Sequence, residues 1–123
     1  MFDKLKAAAG VAGLLKDLPR IKAKLEETKD DLGRVQCTGH SSCRSVRAVV
    51  NGRLEMLSLD IDPKACAAAA APDGRARLQA ATTEAVNDAI RHARREAATR
   101  LADAAQELGL PVPPGLLAQL SQL

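Results

Sequence analysis

From residue 44 to residue 63 the chain reads RSVRAVVNGRLEMLSLDIDP, with apolar and polar positions alternating on either side of Asn51 and Gly52. A period of two marks a strand. Asn-Gly is the dipeptide that most readily takes the positive φ angles of a type I′ turn. The stretch therefore predicts a hairpin with a two-residue turn, in which Val50 faces Arg53, Ala48 faces Glu55 and Val46 faces Leu57. Alternation places Val46, Ala48, Val50, Leu57, Leu59 and Ile61 on one apolar face. Arg47, Val49, Leu54, Met56 and Ser58 make the other, mixed face, and Asp62 with Pro63 closes the hairpin. A lone hairpin is marginal in water, so its apolar face requires cover.

The hydrophobic period turns helical on both sides. Val11, Leu14, Leu18, Ile21, Leu25, Thr28 and Leu32 recur by threes and fours, the seam of one long helix over residues 3–32. Each buried Leu or Ile is worth about 1.5–3 kcal/mol, so this seam requires a partner surface. Pro19 lacks an N–H and marks either a kink or a fresh helix start. Gly10 and Gly13 weaken the stretch before it, and Gly33 is placed to end the helix. Residues 34–38 predict a first short strand with Val35 and Cys37 on one face, and residues 39–42 the turn into the second. Residues 64–74 are a connection whose alanines can take a helical turn before Pro72 and Gly74. Asp73 is a fair N-cap for a second long helix over residues 75–108. Leu78, Ala81, Ala85, Ala89, Ala93, Ala97, Leu101, Ala104 and Leu108 share its face, widened by Val86 and Ile90. So many alanines imply a helix lying close to its neighbour. Gly109 stops it, and the proline-bound tail reads as a pinned or frayed segment. The fold class is α+β: a helix, a three-stranded antiparallel meander and a second long helix. One domain spans 1–123, divided into 1–33, 34–63, 64–108 and 109–123.

Composition adds one pressure. The chain is 46% hydrophobic but only 1% aromatic, with Phe2 the sole aromatic. A small domain buries a low fraction of its surface, so a second subunit is a natural source of further burial. Three cysteines, an odd number in no familiar disulfide pattern, point to the cytosol rather than to secretion. No apolar span reaches the roughly 20 residues of a membrane helix. Residues 7–15 are apolar after Lys4 and Lys6, but Lys16 and Asp17 follow at once without a cleavage site, so export is not expected.

The net charge is only +3, yet the cations are locally concentrated. Lys16, Arg20 and Lys24 repeat at every fourth position, flanked by Lys22 and Lys29. Arg34, Arg44, Arg47 and Arg53 lie in a stretch without an acid, and Arg91, Arg94 and Arg95 cluster beside His92. Such groups bind phosphate by releasing counterions. No aromatic is placed to stack a base and no helix-turn-helix layout is apparent, which leaves backbone contact with little base reading. The same cations serve equally as solvated helix faces, with Asp88–Arg91 and Glu96–Arg100 as ordinary surface pairs.

Cys37, His40 and Cys43 have the spacing Cys-x₂-His-x₂-Cys around a turn. They read as zinc ligands with Cys66 as a fourth, as a cross-strand disulfide between Cys37 and Cys43, or as plain free thiols. Asp62 reads as a cap and Asp60 as a residue of the sheet edge. There is no phosphate loop, nucleophile motif or cofactor fingerprint, so no enzyme, cofactor, metal or small-molecule substrate is expected.

Four stretches in this order carry a resemblance: LEETKDDLGRVQCTG, VRAVVNGRLEMLSLDIDP, ATTEAVNDAIRHARREAATRL and LPVPPG. Together they cover most of residues 20–115 and resemble the YbaB/EbfC family of bacterial nucleoid-associated proteins. GHSSC stands where that family usually has a glycine-rich loop, and the first helix is rich in Leu, Lys and Ala rather than Met and Gln. The resemblance implies an α-β-β-β-α core that forms a tight homodimer with projecting helical arms. It also implies DNA binding of low or variable sequence preference and a role in nucleoid organisation or gene regulation. The expectation is a cytoplasmic, nucleoid-associated homodimer that binds duplex DNA and no membrane. Phosphate contacts fall to Lys16, Arg20, Lys22, Lys24, Arg44, Arg47, Arg53, Arg91, Arg94 and Arg95. Leu18, Ile21, Leu25, Val49, Leu54 and Met56 join the subunits. The rival is an assembly protein whose apolar seam binds a partner helix and whose basic face only keeps it soluble.

Overall fold

The computed structural model describes residues 16–109. Helix α1, Leu18–Arg34, follows Asp17 at the N-cap position and carries Pro19 in its first turn. There the missing N–H has no intrahelical partner to lose, so Pro19 begins a helix rather than kinking one. The expected seam positions Val11 and Leu14, with Gly10 and Gly13, fall outside the described residues. Gly33 does not end α1. The helix runs on to Arg34, and Val35 takes the extended backbone that leads into the sheet.

Strands β1 (Gln36–His40), β2 (Val46–Asn51) and β3 (Met56–Ile61) form the antiparallel meander in the order β1-β2-β3. Gly39 and His40, expected in a turn, extend β1 and pair with Ala48 and Arg47. The hairpin of β2 and β3 departs from its expected register. Val46 faces Ile61 and Ala48 faces Leu59, while Val50 faces Met56 across a bulge between Val49 and Val50. The turn is longer than two residues: Asn51 N–H donates to the Glu55 carbonyl at 2.9 Å, and Leu54 N–H to the Asn51 carbonyl at 3.0 Å. Leu54, not Gly52, holds the positive φ, at 64°. The Asn51 carboxamide replaces the type I′ geometry by accepting from Arg53 N–H at 3.0 Å and Glu55 N–H at 2.9 Å. The bulge restores parity beyond the turn, so Val46, Ala48, Leu59 and Ile61 share a face as alternation requires.

Asp62 accepts from Lys64 N–H at 2.8 Å and starts the short helix α2, Pro63–Ala68. Helix α3 is Pro72–Glu107, and its N-cap is Ala71, so Asp73 lies in the first turn and caps nothing. Gly109, with φ 73°, closes its end. At 1.5 Å per residue α3 is roughly 54 Å long, enough to serve two partners. Its first half covers β1 and β2, and Ala81, Ala85, Ala89 and Ala93 form the core with Cys37, Val46, Ala48 and Val50. Its second half runs antiparallel to α1, where Arg20 donates to the Leu108 carbonyl at 3.3 Å and Lys24 pairs with Glu107. Steps of four overrun the 3.6 period, and the packing partner changes from sheet to helix. The buried stripe therefore passes to Ala98 and Ala104, while Ala97 is half-buried and Leu101 is 37% exposed.

α3 packs on β1 and β2 and leaves most of β3 uncovered, although Ile61 at its end packs against the core. Leu57, on the apolar side of β3, is 48% exposed, and Met56, Leu54, Leu25 and Leu18 are exposed to a similar degree.

Candidate nucleic-acid interface

The expected cations fall into two groups. Five are engaged by carboxylates. Arg20 lies 3.4 Å from Asp17, Arg47 2.7 Å from Asp60, Arg53 3.7 Å from Glu55 and Arg91 3.2 Å from Asp88. Lys24 is held by Glu107, with Glu27 at 3.6 Å, and the bond to Glu107 raises its ammonium above the ordinary lysine range. Surface pairs of this kind are individually weak, so a phosphate can displace the carboxylate at small loss. The other five, Lys16, Lys22, Arg44, Arg94 and Arg95, have no carboxylate within 4.0 Å among the described residues.

The structure brings some of these together. Arg53 and Arg94 line one groove of about 370 Å³ with Leu32, Leu54, Ala98 and Leu101. The helix stripe is not one unit, because Arg20 and Lys24 bind α1 to the end of α3 while Lys16 and Lys22 stay exposed. Leu18, Leu25, Leu54 and Met56 present apolar surface, Ile21 is half-buried and Val49 is buried within the single chain.

Arg44 is carried on a turn that α3 pins. Glu84 accepts from both the N–H and the hydroxyl of Ser42, and Asp88 accepts from His40 N–H at 3.1 Å. His92 Nδ1 donates to the Thr38 carbonyl at 2.7 Å. The His40 N–H, helped by the nearby His92 and Arg91, holds the Asp88 carboxyl below its ordinary range against a smaller opposing effect of burial. The buried Ser41 hydroxyl accepts from Val46 N–H at 3.1 Å and completes the anchor. Arg44 itself sits at φ 59°.

All three thiols are free. Cys37 lies in the core, where burial pushes its thiol up, whereas Cys43 is exposed in the turn. The Ser45 and Ser41 hydroxyls lower the Cys43 thiol to about 7, with Ser45 Oγ 2.9 Å from the sulfur. The Cys-x₂-His-x₂-Cys spacing thus assembles neither a disulfide nor a chelate. Among the described residues no three His, Cys, Asp or Glu side chains converge to hold a metal.

Lys64, Arg75 and Arg77 were not singled out by the sequence pattern. They too have no carboxylate within 4.0 Å among the described residues; Arg77 lines a cavity with Cys43 and Ser45, while Lys64 and Arg75 lie in the first turns of α2 and α3. The sequence shows them only as scattered cations around an alanine run, because Arg44 is remote from Arg77 along the chain.

A three-stranded meander backed by one long helix, with basic groups on helices and turns, defines a small α+β protein with basic surfaces. The chain belongs to the YbaB/EbfC DNA-binding family, whose model matches residues 8–108. It is similar to a nucleoid-associated protein of Polynucleobacter necessarius subsp. necessarius (strain STIR1), 28% identical over 106 residues, 86% of this chain and 92% of that protein. Its fold is similar to the crystal structure of uncharacterized protein HP0035 from Helicobacter pylori, with a TM-score of 0.55 at 18% identity over 80% of this chain and 91% of that one. Among the described residues no helix is long and apolar enough to cross a membrane.

Proposed function

We propose that this protein is a homodimeric, nucleoid-associated DNA-binding protein that holds duplex DNA through backbone phosphates, with little base reading and no catalytic step. The match to a DNA-binding family over residues 8–108 carries this reading. The basic surfaces support it: five of the expected cations have no described carboxylate partner, and the other five hold exchangeable surface pairs. No described Trp, Tyr or Phe can stack a base, which favours contact with the phosphates over contact with bases. The uncovered apolar surface of β3 and α1 supports pairing of two copies, and pairing doubles every basic patch. Binding along the chromosome would place it in the cytoplasm on the nucleoid, with effects on gene expression arising from DNA organisation.

Gel shifts of a duplex across a salt series test the reading. For a protein with six to ten phosphate contacts, affinity falls about 10³–10⁵-fold between 50 and 200 mM salt. Absence of binding at 50 mM would end it. Light scattering coupled to size exclusion is expected to give two subunits. Protein associations that survive nuclease, without DNA binding, would favour the assembly role instead.

A further inference from the structure

Arg47, Arg53, Arg91 and Arg100 face carboxylates, whereas the cations at one end of the molecule do not. The β1–β2 turn, α2 and the first turns of α3 enclose an open cavity of about 270 Å³. Cys43, Ser45, Ala65, Ala68, Arg77 and Leu78 line it. Arg44 lies between Cys43 and Ser45, Lys64 adjoins Ala65, and Arg75 adjoins Gly74, which also lines the cavity. None of Arg44, Lys64, Arg75 and Arg77 has a carboxylate within 4.0 Å among the described residues. Two acids are near in sequence. Asp62 spends one oxygen on Lys64 N–H at 2.8 Å, and Asp73 meets Arg77 only through its backbone carbonyl, which accepts from Nε at 3.4 Å. Glu84, held by the Ser42 N–H and hydroxyl, is a third, so four cations against three acids leave this end positive by one.

The segments are also fixed relative to one another. Asp62 N–H donates to the Ser45 carbonyl at 2.8 Å, joining α2 to the turn. Glu84 and Asp88 hold the turn to α3. A β-carbon on Gly74 would stand 1.8 Å from the Ala68 carbonyl oxygen, so α2 and α3 touch backbone to backbone. Cations on a rigid frame lose less freedom on meeting a phosphate than cations on a loose loop. We infer that this end of the molecule is a second phosphate-contacting surface for duplex DNA, in which Arg44 and Arg77 flank the cavity and Lys64 and Arg75 extend the patch. The inference rests on the DNA-binding reading above. It adds a surface remote from the exposed lysines of α1, because α1 packs on the opposite end of α3.

The test uses the full chain with a duplex probe. The double variant Arg44→Ala/Arg77→Ala is compared with wild type and with Arg100→Ala, which removes a cation paired with Glu96 elsewhere on α3. The double variant is expected to bind about tenfold or more weakly at 100 mM salt, with the salt slope reduced by about 1 for each lost arginine in contact. Arg100→Ala is expected to match wild type. Wild-type affinity and slope in the double variant would overturn the inference and leave the DNA-binding reading standing. If wild type itself does not bind, both fall. A changed subunit number in the double variant would also overturn it, assigning the surface to a protein contact. As an independent readout, duplex is expected to slow iodoacetamide alkylation of Cys43 several-fold in Cys66→Ser protein, and an unchanged rate would count against the surface.

Discussion

A β-carbon on Gly39 would stand 2.2 Å from the backbone nitrogen of Ala89 and 2.4 Å from the carbonyl oxygen of Ala85. Strand β1 and helix α3 therefore meet without a side chain between them. That approach is the reason the helix face is alanine, and it brings Glu84 and Asp88 within reach of the β1–β2 turn. Backbone cannot give way as a flexible side chain can. Gly39→Ala is expected to destabilise the fold by about 1–3 kcal/mol or more, read from urea unfolding. An unchanged midpoint would mean that the helix does not lie this close.

Asn51 fixes the other end of the sheet. It is buried, accepts from Arg53 and Glu55 N–H, and donates from Nδ2 to Glu55 Oε1 at 3.1 Å. Asn51→Ala strips two amides of their acceptor and is expected to destabilise by about 2 kcal/mol. In a Glu55→Gln background, where no carboxylate faces position 51, Asn51→Asp keeps the acceptor and is expected to lose less than Asn51→Ala. Equal losses in urea melts would refute the role of the accepting oxygen.

The meander and the two long helices were legible because their periods are local: two for the strands and 3.6 for the helices. The turn was not. Asn51-Gly52 matches a type I′ signature, but the carboxamide of Asn51 captures the amides of Arg53 and Glu55 and draws Leu54 into the left-handed region. The parity of the strand faces survived because a bulge compensates the longer turn. Gly39 looked like a turn residue, since nothing nearby in sequence announces that Ala85 and Ala89 will press on it. The neighbourhood of Arg77 was hidden for the same reason: it lines one cavity with Cys43 and Ser45 only after the chain has closed the sheet.

Asp88 gives the fold a defined acid response. The His40 N–H bond foremost, with the charges of His92 and Arg91, lowers its carboxyl below the ordinary 3.8. A carboxylate with a depressed folded value adds stability that is fully present above the unfolded value. That stability is lost as pH falls through the lower folded one. Asp88→Asn is expected to be less stable than wild type at pH 7, and the gap is expected to narrow progressively as pH falls below the ordinary carboxylate value of 3.8. Urea unfolding at a series of pH values reads this, and a gap that does not narrow as pH falls would contradict it.

The Cys43 thiol lies at about 7, chiefly through the Ser45 hydroxyl and then that of Ser41. In Cys66→Ser protein its alkylation rate is expected to be half-maximal near pH 7, because the thiolate is the reactive form. Cys37 is buried, with its thiol pushed up, and is expected to react far more slowly. Ser45→Ala is expected to move the Cys43 profile to higher pH. A profile that does not move would remove the hydroxyl as the cause.

Arg44 separates what the fold prefers from what the proposed surface requires. It is exposed and held at φ 59°, a conformation that brings an ordinary side chain's β-carbon too close to the carbonyl that follows it. Asparagine tolerates that conformation without the added unfolded-state freedom of glycine. Arg44→Asn is therefore expected to raise stability by about 0.5–1 kcal/mol in urea melts. If Arg44 meets phosphate, the same variant is expected to bind duplex DNA more weakly and with a shallower salt dependence. Opposite signs in the two measurements would show an arginine kept for contact at the expense of local backbone comfort. Gain in stability with no change in binding would show that the turn carries strain for which DNA gives no reason.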